Sequence, residues 1–294
     1  MHVLLTGATG FFGSHLVRRF QADGHRVSVL VRGDLAGSRL AGSRAALEVL
    51  DAQAALAPQV AAAGPDVVVH AATCYGRRGE GDQELLQVNV QWALELLLAC
   101  GAARVPVFVN LDTSLPHGIN AYALSKHHFR DWLRLRCATA APRVLNIRLE
   151  SLYGPGDDAS KFATGLIRAL LAGRPDFPLT AGLQRRDFIH VEDAVVAFGL
   201  LLEDFLGHTA VFREAAVGTG QAVTIREFAE TAKRLSDSAT RLAFGALPYR
   251  PQELMCTAAD TTELQRLGWA GARDLATGLA QTIDQERRNH PCDY

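Results

Sequence analysis

The first thirteen residues place a glycine-rich turn between a strand pattern and a helix pattern, and this order restricts the possible folds most strongly. The apolar run His2–Thr6 leads directly into Gly7, Gly10 and Gly13, and a helical pattern begins at Phe12. Glycines allow a tight turn, and a helix N-terminus offers free N–H groups and a positive dipole end to a pyrophosphate. The turn therefore predicts a dinucleotide-binding βα unit, although its Gly-x-x-Gly-x-x-Gly spacing is one residue wider than the usual fingerprint.

Strand and helix patterns alternate through the N-terminal half of the chain. They cover His2–Thr6, Phe12–Asp23, Arg26–Val31, Asp66–His70, Gln83–Cys100, Val105–Leu111, Ala121–Cys137 and Arg143–Arg148. The strand runs lack a polar alternation, which is typical of strands that are buried on both faces. We therefore expect an α/β fold with a doubly wound, parallel Rossmann-type sheet, helices on both faces and right-handed crossovers.

The pattern changes after Arg148, where the turn-rich stretch Tyr153–Asp158 follows. Helical patterns then lie at Phe162–Leu171, Val191–Leu206, Ile225–Leu235, Thr261–Leu267 and Leu275–Arg288. We expect residues 1–150 to form the dinucleotide-binding Rossmann domain and residues 151–294 to form mainly a smaller mixed α/β substrate lobe. Segments near 187–217 are expected to return to the Rossmann domain. Doubly wound sheets bind ligands beyond their carboxyl strand ends, so a lobe there would contact the substrate.

Composition excludes several classes of protein. Hydrophobic residues make up 48 % of the chain and charged residues 21 %, which is too balanced for a disordered chain. Thirty basic and thirty-one acidic side chains give a formal charge of −1, so no global field favours nucleic acid or an anionic membrane. The N-terminus lacks a basic leader and a signal-length apolar run, and no apolar stretch is expected to reach membrane-spanning length. A cytoplasmic protein is expected.

The cysteines and histidines predict no metal site. The five cysteines are Cys74, Cys100, Cys137, Cys256 and Cys292. They include no Cys-x-x-Cys pair, and no paired histidine spacing suits zinc, so we interpret them as reduced thiols. The adjacent His127 and His128 point to different sides of a helix and make a poor metal clamp.

The end of the second strand pattern favours NADP(H). An acidic residue there normally accepts a hydrogen bond from the ribose 2′-hydroxyl of NAD. In this chain the position is Val31, and the following Arg32 can pair bidentately with a 2′-phosphate. NAD(H) stays possible because Asp34 could replace the missing acid, and Arg32 could instead be a solvated surface charge.

Other cofactor contacts are assigned by position. The turn contributes Gly7, Thr9, Gly10, Phe11, Phe12 and Gly13. Asp51 ends a third strand pattern and is expected to lie beside the adenine. His70, Ala71 and Ala72 follow the fourth strand pattern and bring small residues towards the cofactor. His70 could equally be a buried side chain that is satisfied by backbone groups.

Tyr122 and Lys126 form a candidate catalytic pair. Their i,i+4 spacing at the start of a helical pattern puts the phenol and the ammonium on one face. A free tyrosine titrates near 10, and a close ammonium together with an oxidised nicotinamide can lower that pKa. Tyr122 is then expected to donate a proton to a carbonyl oxygen as hydride arrives.

With the glycine turn and this pair, the whole chain resembles the extended short-chain dehydrogenase/reductase family, in its nucleotide-sugar epimerase/dehydratase branch. The resemblance implies that Thr113, at the end of the Val107–Ser114 segment, polarises the substrate carbonyl, with Ser114 as the alternative. It also implies that Asn89 supports the helix beside the active site and contributes to the cofactor site.

The second half of the chain shares two further segments with that branch. Arg148–Gly156 resembles its Arg-x-x-x-x-Tyr-Gly-Pro loop, and Arg185–Asp193 resembles its Arg-Asp-Phe-Ile-His segment. The resemblance implies that Arg186 and Arg250 bind the diphosphate of a nucleotide-sugar. The complete set of substrate contacts implied in this way is Tyr75, Ser114, Ser151, Lys161, Phe162, Arg186 and Arg250.

Departures from the branch narrow the reaction. Sugar 4,6-dehydratases carry an Asp-Glu pair directly after the threonine, whereas Thr113 precedes Ser114 and Leu115. Epimerases hold NAD tightly, and the missing acid at Val31 argues against that. The motifs are most similar to deoxysugar 4-ketoreductases of the CDP-abequose synthase type. The expected activity is NADPH-dependent reduction of the 4-keto group of a nucleotide-linked 4-keto-6-deoxysugar.

Two other functions stay open. One is an NAD-dependent nucleotide-sugar epimerase, and the other is a non-catalytic dinucleotide-binding regulatory protein. The resemblance also implies a homodimer that forms a four-helix bundle from Gln83–Cys100 and Ala121–Cys137 of each copy. Their apolar faces could instead be part of the protein's own core.

Overall fold

Seven of the strands form one twisted sheet in a computed structural model, which describes residues 1–138, 142–271 and 273–289. The chain divides into two compact units. The first unit contains Met1–Leu149 and Phe198–Ala215, and the second contains Glu150–Ala197 and the chain from Ala216 onward.

Twelve strands lie within the described residues. They are β1 His2–Thr6, β2 Arg26–Val31, β3 Glu48–Asp51, β4 Val67–His70, β5 Val107–Thr113, β6 Arg143–Leu149, β7 Ser151–Tyr153, β8 Asp176–Leu179, β9 Arg185–His190, β10 Phe212–Val217, β11 Ala222–Thr224 and β12 Arg241–Phe244. The α-helices are α1 Phe11–Ala22, α2 Leu56–Ala63, α3 Asp82–Leu86, α4 Ala93–Ala102, α5 Ala121–Cys137, α6 Phe162–Leu171, α7 Val191–Leu206, α8 Ile225–Ser236, α9 Thr262–Arg266 and α10 Leu275–Asn289. A 3₁₀ turn covers Ala41–Ala46, and a π-helical turn at Gln87–Trp92 joins α3 to α4.

The main sheet has the strand order β10-β6-β5-β4-β1-β2-β3. The pairs from β3 across to β6 are parallel, and their register aligns Val31 with Asp51, Thr6 with His70, and Thr113 with Leu149. The order reverses at β1, where doubly wound sheets bind ligands. The predicted α/β fold class is confirmed.

The first unit buries both faces of this sheet. On one face, Leu4, Val68 and Phe108 belong to a core cluster that also contains residues of α2, α4 and α5. On the other face, Phe198 contacts Phe12 and Phe20 of α1 with ring centroids 6.3 and 6.1 Å apart. Burial of each such side chain contributes about 1.5–3 kcal/mol, which explains why the strands lack polar alternation.

The second unit has two small sheets, with orders β11-β9-β7 and β12-β8. Its core lies among α6, α8 and α10, where Phe228 stacks on Phe188 of β9 with ring centroids 4.2 Å apart. Tyr153 at the end of β7 contacts both rings edge-on.

One expectation about apolar length is wrong. The continuous helical segment from Asp82 to Ala102 has 21 residues and is long and apolar enough to cross a membrane by length and composition alone. The charged and amide residues near its start hid this length in the sequence. Such a helix is weak indication of a membrane span, because the core helix of a soluble protein passes the same test, and here Leu96, Leu97 and Cys100 are buried in the core cluster of the first unit.

Four cysteines, Cys74, Cys100, Cys137 and Cys256, are free thiols, and Cys292 lies outside the described residues. Burial raises the pKa of the Cys100 thiol to about 12, so this thiol stays protonated and packs as a small apolar side chain. Within the described ranges, no group of three or more histidine, cysteine or acidic side chains is arranged to hold a metal.

Candidate active site

The glycine turn closes tightly between β1 and α1. The Gly10 N–H donates to the Gly7 carbonyl oxygen at 2.9 Å, and Gly10 caps the N-terminus of α1. Gly7 has a φ of +66°, and a Cβ there would lie 2.5 Å from the backbone of Ala71 and Ala72. The structure thus brings the turn against the chain that follows β4, two segments that the sequence assigned separately to the cofactor. The turn leads into the N-terminus of α1, the kind of position at which helices bind anions.

Gly13 allows the first turn of α1 to approach the loop. A Cβ on Gly13 would lie 2.2 Å from the Gly7 oxygen, and backbone atoms cannot yield to it as a flexible side chain could. We expect Gly13→Ala to lower the stability by about 1–3 kcal/mol and to weaken dinucleotide binding at least tenfold, as measured by thermal unfolding and by NADPH fluorescence. Gly101→Ala is the matched control, because its Cβ would meet nothing within 4 Å. Equal affinity in the two variants would contradict the prediction.

Arg32 and Asp51 lie at the carboxyl ends of neighbouring strands. Val31 is buried, whereas Arg32 is exposed and makes no ion pair with any residue that the structure describes. The Asp51 carboxylate accepts from the Gln53 N–H at 2.8 Å. The Asp34 carboxylate is engaged in a local turn, where it accepts from the Ala36 N–H at 2.8 Å.

Sequence reasoning missed Arg39 at this edge. Its guanidinium donates to the Thr9 carbonyl oxygen of the glycine turn at 3.2 Å, and Arg18 of α1 donates to the Arg39 carbonyl oxygen at 2.8 Å. A second arginine seven residues after Arg32 was visible in the sequence, but only the fold brings it to the turn.

His70 is fully buried rather than open to solvent. Its ring lies among Trp92, Phe108 and Phe129, and its Nδ1 lies 2.9 Å from the Thr6 hydroxyl. Burial, followed by the nearby Lys126 charge, lowers the pKa of His70 well below its usual value, so the ring is neutral. The ring is buried, as one of the two interpretations of the sequence had it. However, Nδ1 meets the Thr6 side chain rather than a backbone group, and Nε2 has no hydrogen-bond partner among the described residues.

Thr6 also hydrogen-bonds to the loop after β4. Its hydroxyl oxygen accepts from the Ala72 N–H at 3.2 Å. His70 therefore supports the segment containing Ala71 and Ala72, and direct contacts of these residues with a cofactor stay predictions.

Asn89 lies inside the π-helical turn and is almost fully buried. Its amide oxygen accepts from the Cys74 N–H at 2.7 Å, and its amide nitrogen donates to the Cys74 carbonyl at 2.8 Å and to the Ser125 hydroxyl at 2.9 Å. The wider π turn turns this side chain inward between the 73–75 loop and α5. Asn89 thus ties that loop to α5, and its contact with a cofactor stays a prediction.

The three proposed catalytic side chains meet at the end of β5. Thr113 is the last residue of the strand, and Tyr122 and Lys126 lie in the first two turns of α5, which is capped by the Asn120 side chain accepting from Ala123 N–H at 2.8 Å. The Thr113 hydroxyl lies close enough to the Tyr122 phenol to lower the pKa of that phenol. Thr113 rather than Ser114 occupies the position beside Tyr122.

Burial dominates the acid–base properties of this pair. Burial, with the charges of Tyr75 and Asp112, raises the pKa of Tyr122 well above its usual value, against the lowering effects of Thr113 and Arg77. Burial also lowers the pKa of Lys126. In the protein alone, the Lys126 ammonium therefore does not lower the pKa of the Tyr122 phenol. The phenol stays protonated, which suits a proton donor.

Tyr75 covers the catalytic tyrosine. The rings of Tyr75 and Tyr122 lie 5.0 Å apart, and the Arg77 guanidinium lies over the Tyr75 ring at 5.3 Å. Sequence reasoning assigned Tyr75 to the substrate but missed Arg77, which stacks on it. Both side chains are exposed.

The substrate residues assigned to the second unit fall into two environments. Arg186 is largely buried and pairs with Glu253 at 2.5 Å, whereas Arg250 is exposed. Lys161 pairs with Asp157 at 3.0 Å at the start of α6. Phe162 packs towards Phe228 of the core, with ring centroids 5.5 Å apart.

Lys161 and Phe162 also line a cavity of about 470 Å³ within the second unit, together with Arg168, Arg174 and Phe177. Ser151 lies at the start of β7, where it pairs in register with Phe188. The binding roles of these residues stay predictions.

Asp187 is a structural residue that sequence reasoning did not single out. Its buried carboxylate accepts from the N–H groups of Thr219, Gly220 and Ala259 at 2.8, 2.9 and 3.0 Å. A Cβ on Gly218 would lie 2.5 Å from this carboxylate. Asp187 therefore holds two loops of the second unit beside the strand that carries Arg186.

Comparisons with known proteins agree with this fold and turn. The chain is 28% identical over 292 residues to the CDP-abequose synthase of Salmonella muenchen, covering 97% of each chain. It is 29% identical to the dTDP-4-dehydro-6-deoxy-D-allose reductase of Streptomyces bikiniensis, covering 95% of this chain and 94% of that protein. The UDP-glucose 4-epimerase of Thermus thermophilus, solved with NAD, is 25% identical and superposes with a TM-score of 0.81 over 98% of this chain and 99% of that one.

The family profile extends over most of the chain. The profile of the NAD-dependent epimerase/dehydratase family matches residues 3–211, a range that includes the glycine turn, Thr113, Tyr122 and Lys126. The expected resemblance is confirmed, and the expectation of an enzyme is confirmed with it. The chain belongs to the NAD-dependent epimerase/dehydratase family and is an NAD(P)-dependent oxidoreductase of that family.

Proposed function

We propose that this protein reduces the 4-keto group of a nucleotide-linked 4-keto-6-deoxysugar with NADPH. The observation that carries the proposal is the placement of Thr113, at the end of β5, near Tyr122, with Lys126 one turn further along α5 and in the same unit as the glycine turn. This arrangement can polarise a carbonyl oxygen and protonate it. The glycine turn and the N-terminus of α1 would hold the cofactor pyrophosphate.

The residues of this chain would act on the carbonyl oxygen. When bound, the nicotinamide supplies a hydride to the carbonyl carbon. The Thr113 hydroxyl donates a hydrogen bond to the oxygen and orients the carbonyl, and Tyr122 transfers its phenolic proton to that oxygen as the C=O electron pair moves onto it. The Lys126 ammonium stabilises the tyrosinate that forms, which then recovers a proton from solvent.

The absence of an acid after Thr113 supports reduction over elimination. Ser114 and Leu115 follow Thr113, so the Asp-Glu pair that serves as acid and base in sugar 4,6-dehydratases is missing after the threonine. One relative is by name a reductase of a dTDP-4-dehydro-6-deoxy sugar, and another is by name a CDP-abequose synthase. These names support a 4-keto-6-deoxysugar as the substrate class.

Basic side chains of the second unit would bind the diphosphate. Arg250 is exposed, and Arg186 would exchange its partner Glu253 for a phosphate oxygen. Lys161 would lie near the nucleotide, where the cavity that it lines with Phe162 offers room for a ring.

NADPH is the proposed reductant because the strand-end acid is missing. Arg32 follows buried Val31 at the end of β2, and Arg39 reaches the glycine turn, so two guanidinium groups flank the edge where a 2′-phosphate would lie. The family is NAD(P)-dependent, and the solved relative from Thermus thermophilus holds NAD.

A substrate panel tests the proposed reaction. We expect steady oxidation of NADPH with dTDP- or CDP-4-keto-6-deoxyglucose, and a product whose NMR spectrum shows a new hydroxyl-bearing C4. An epimerase would instead purify with tightly bound NAD and interconvert nucleotide-sugars without net cofactor turnover. Absence of turnover with 4-keto-6-deoxysugars on UDP, dTDP, CDP and GDP carriers would overturn the proposal.

We also propose a homodimer through the helical segment Asp82–Ala102 and α5. Both present large exposed apolar side chains, namely Leu86, Leu98, Trp132 and Leu135. A four-helix bundle with a second copy would cover them. Sedimentation equilibrium is expected to give a dimer, and Leu98→Glu to give a monomer.

A further inference from the structure

A buried ion pair lies directly behind the catalytic threonine. The Asp112 side chain is fully buried, and its Oδ2 accepts from Arg130 Nε at 2.5 Å and from Asn146 Nδ2 at 2.9 Å. Its other oxygen, Oδ1, accepts from the backbone N–H of Thr113 at 2.7 Å. The carboxylate therefore fixes the peptide plane that carries the catalytic hydroxyl.

Arg130 of α5 contacts the same end of β5. Its Nη2 donates to the Thr113 carbonyl oxygen at 3.3 Å, and its Nη1 lies 3.4 Å from His127 Nδ1. An arginine can only donate, so Nδ1 of His127 accepts and Nε2 carries the proton. That Nε2 donates to the Leu115 carbonyl oxygen at 2.9 Å. The Arg130 guanidinium thus binds Thr113 directly, and it contacts the loop after Thr113 through the His127 imidazole.

The helical spacing connects this corner to the proton donor. Tyr122, Lys126 and Arg130 are four residues apart along α5 and lie on one face of the helix. Because Arg130 is fixed to Asp112 of β5, the helix can neither rotate nor slide along the strand without breaking a buried pair. The pair thereby sets the distance between the Thr113 hydroxyl and the Tyr122 phenol.

A second layer of polar side chains extends the network. Asn110 donates to Asn146 at 2.7 Å, and Asn146 also donates to Glu214 at 3.2 Å. Glu214 lies 3.5 Å from Arg130 and pairs with Arg134 at 2.6 Å. Such a network inside a hydrophobic core is costly unless its members are paired, and it favours one arrangement once they are.

We propose that Asp112 and Arg130 are positioning residues that hold Thr113 and α5 in register and balance the charge around Lys126 without touching the substrate. The proposal rests on the proposed roles of Thr113, Tyr122 and Lys126. It predicts opposite electrostatic effects for the two members of the pair, which a purely structural contact would not produce.

The charges that face the catalytic pair decide the sign of each effect. Asp112 raises the pKa of Lys126, Arg130 lowers it, and burial is the larger cause of its low value. On the β4 side, His70 is neutral and adds no charge. Removal of the Asp112 charge should therefore lower the pKa of Lys126 further, whereas removal of the Arg130 charge should raise it.

Tyr122 is faced by a different set. Burial, followed by Tyr75 and Asp112, raises its pKa, and the Thr113 hydroxyl and Arg77 lower it. The Tyr122 phenol is therefore a less direct reporter on Arg130 than the Lys126 amine is.

Only three lysines, Lys126, Lys161 and Lys233, occur in the chain, so the amine can be titrated individually. Protein labelled with [ε-¹³C]lysine gives three resonances, and Lys126→Met assigns one of them. We expect Asp112→Asn to move the Lys126 titration to lower pH and Arg130→Gln to move it to higher pH. Arg134→Gln, on the same helix but half exposed, is the control and should leave it in place.

Turnover tests the geometric part. With the sugar that the panel identifies, we expect Asp112→Asn and Arg130→Gln to lower kcat at least tenfold and to leave KM within about twofold. Arg130→Lys keeps the charge but not the planar fork, so it should keep the Lys126 titration near that of the native protein while kcat stays low. If Arg130→Gln fails to fold, Arg130→Lys still carries the turnover test and Asp112→Asn still carries the titration test.

Unchanged Lys126 titration in both charge variants, or kcat within twofold of the native value in Arg130→Lys, would overturn the positioning proposal. The titration needs no substrate. Opposite shifts in a protein that reduces no sugar would support the positioning pair and contradict only the proposed function.

Discussion

Tyr122→Phe should lower kcat for carbonyl reduction by about 10²- to 10⁴-fold and leave NADPH affinity within about twofold. The variant keeps the ring that stacks on Tyr75 and loses only the hydroxyl that meets Thr113. The carbonyl oxygen would then develop negative charge with no proton donor in reach. Stopped-flow measurement of NADPH oxidation under single-turnover conditions separates this step from product release.

The pH dependence of the native protein follows from the same site. Burial raises the pKa of the phenol, so the proton-bearing form required for reduction persists through neutral pH and is lost only as pH rises through that elevated pKa. The reduction rate should therefore be flat at neutral pH and fall on the alkaline side. Lys126, whose pKa is lowered, loses its charge earlier along this rise.

Tyr249→Phe is the matched control for the Tyr122 variant. Its hydroxyl accepts from the Leu183 N–H at 3.2 Å within a loop of the second unit, and we expect kcat to change less than twofold. A Tyr122→Phe protein that keeps more than a tenth of native kcat would show that another group supplies the proton.

The sequence predicted the residue types of the catalytic pair but not their setting. Periodicity placed Tyr122 and Lys126 on one helical face, and the structure has α5 over the predicted range, Ala121–Cys137. The fifth strand was predicted at Val105–Leu111 and lies at Val107–Thr113. It continues past Leu111 because the polar side chains at its end are buried with hydrogen-bond partners. Asp112 is a polar residue that is buried at this position because it pairs with Arg130, eighteen residues later in the chain.

Long-range contacts explain the other residues that sequence reasoning missed. Asp187 looked like an ordinary polar residue of a motif, yet its partners lie more than thirty residues away. The glycine turn was predictable because its partners are adjacent in sequence and its chemistry is a property of the backbone. The close approach of Gly7 to Ala71 and Ala72 was not predictable. All three residues were assigned to the cofactor, but nothing in the sequence indicated that they touch each other.

Arg32→Ala should weaken NADPH binding by about 10- to 100-fold and leave NADH binding within about twofold. One contact of the guanidinium with a 2′-phosphate at about 4 Å contributes roughly 1–4 kcal/mol, depending on exposure. Arg32 is exposed, so the lower half of that range applies. Fluorescence titration with each cofactor gives the two dissociation constants directly.

Arg26→Ala is the control for Arg32, because it lies at the opposite end of β2. Its guanidinium is exposed and pairs with Glu48 at 2.9 Å, so its loss removes a positive charge far along the strand from the proposed 2′-phosphate. Both cofactor affinities should change less than twofold. A similar loss in both variants would indicate a general electrostatic effect rather than a contact.

Asp34 bears on whether Arg32→Ala can gain affinity for NADH. Its Oδ1 accepts from the Ala36 N–H at 2.8 Å in a local turn, and removal of the Arg32 side chain adds no new acceptor for a ribose 2′-hydroxyl. The variant should therefore lose its preference for NADPH without gaining NADH affinity. Because exposed charges are screened, NADPH affinity of the native protein should also fall more steeply with salt than NADH affinity does. Equal salt dependence for the two cofactors would contradict an Arg32 contact with the 2′-phosphate.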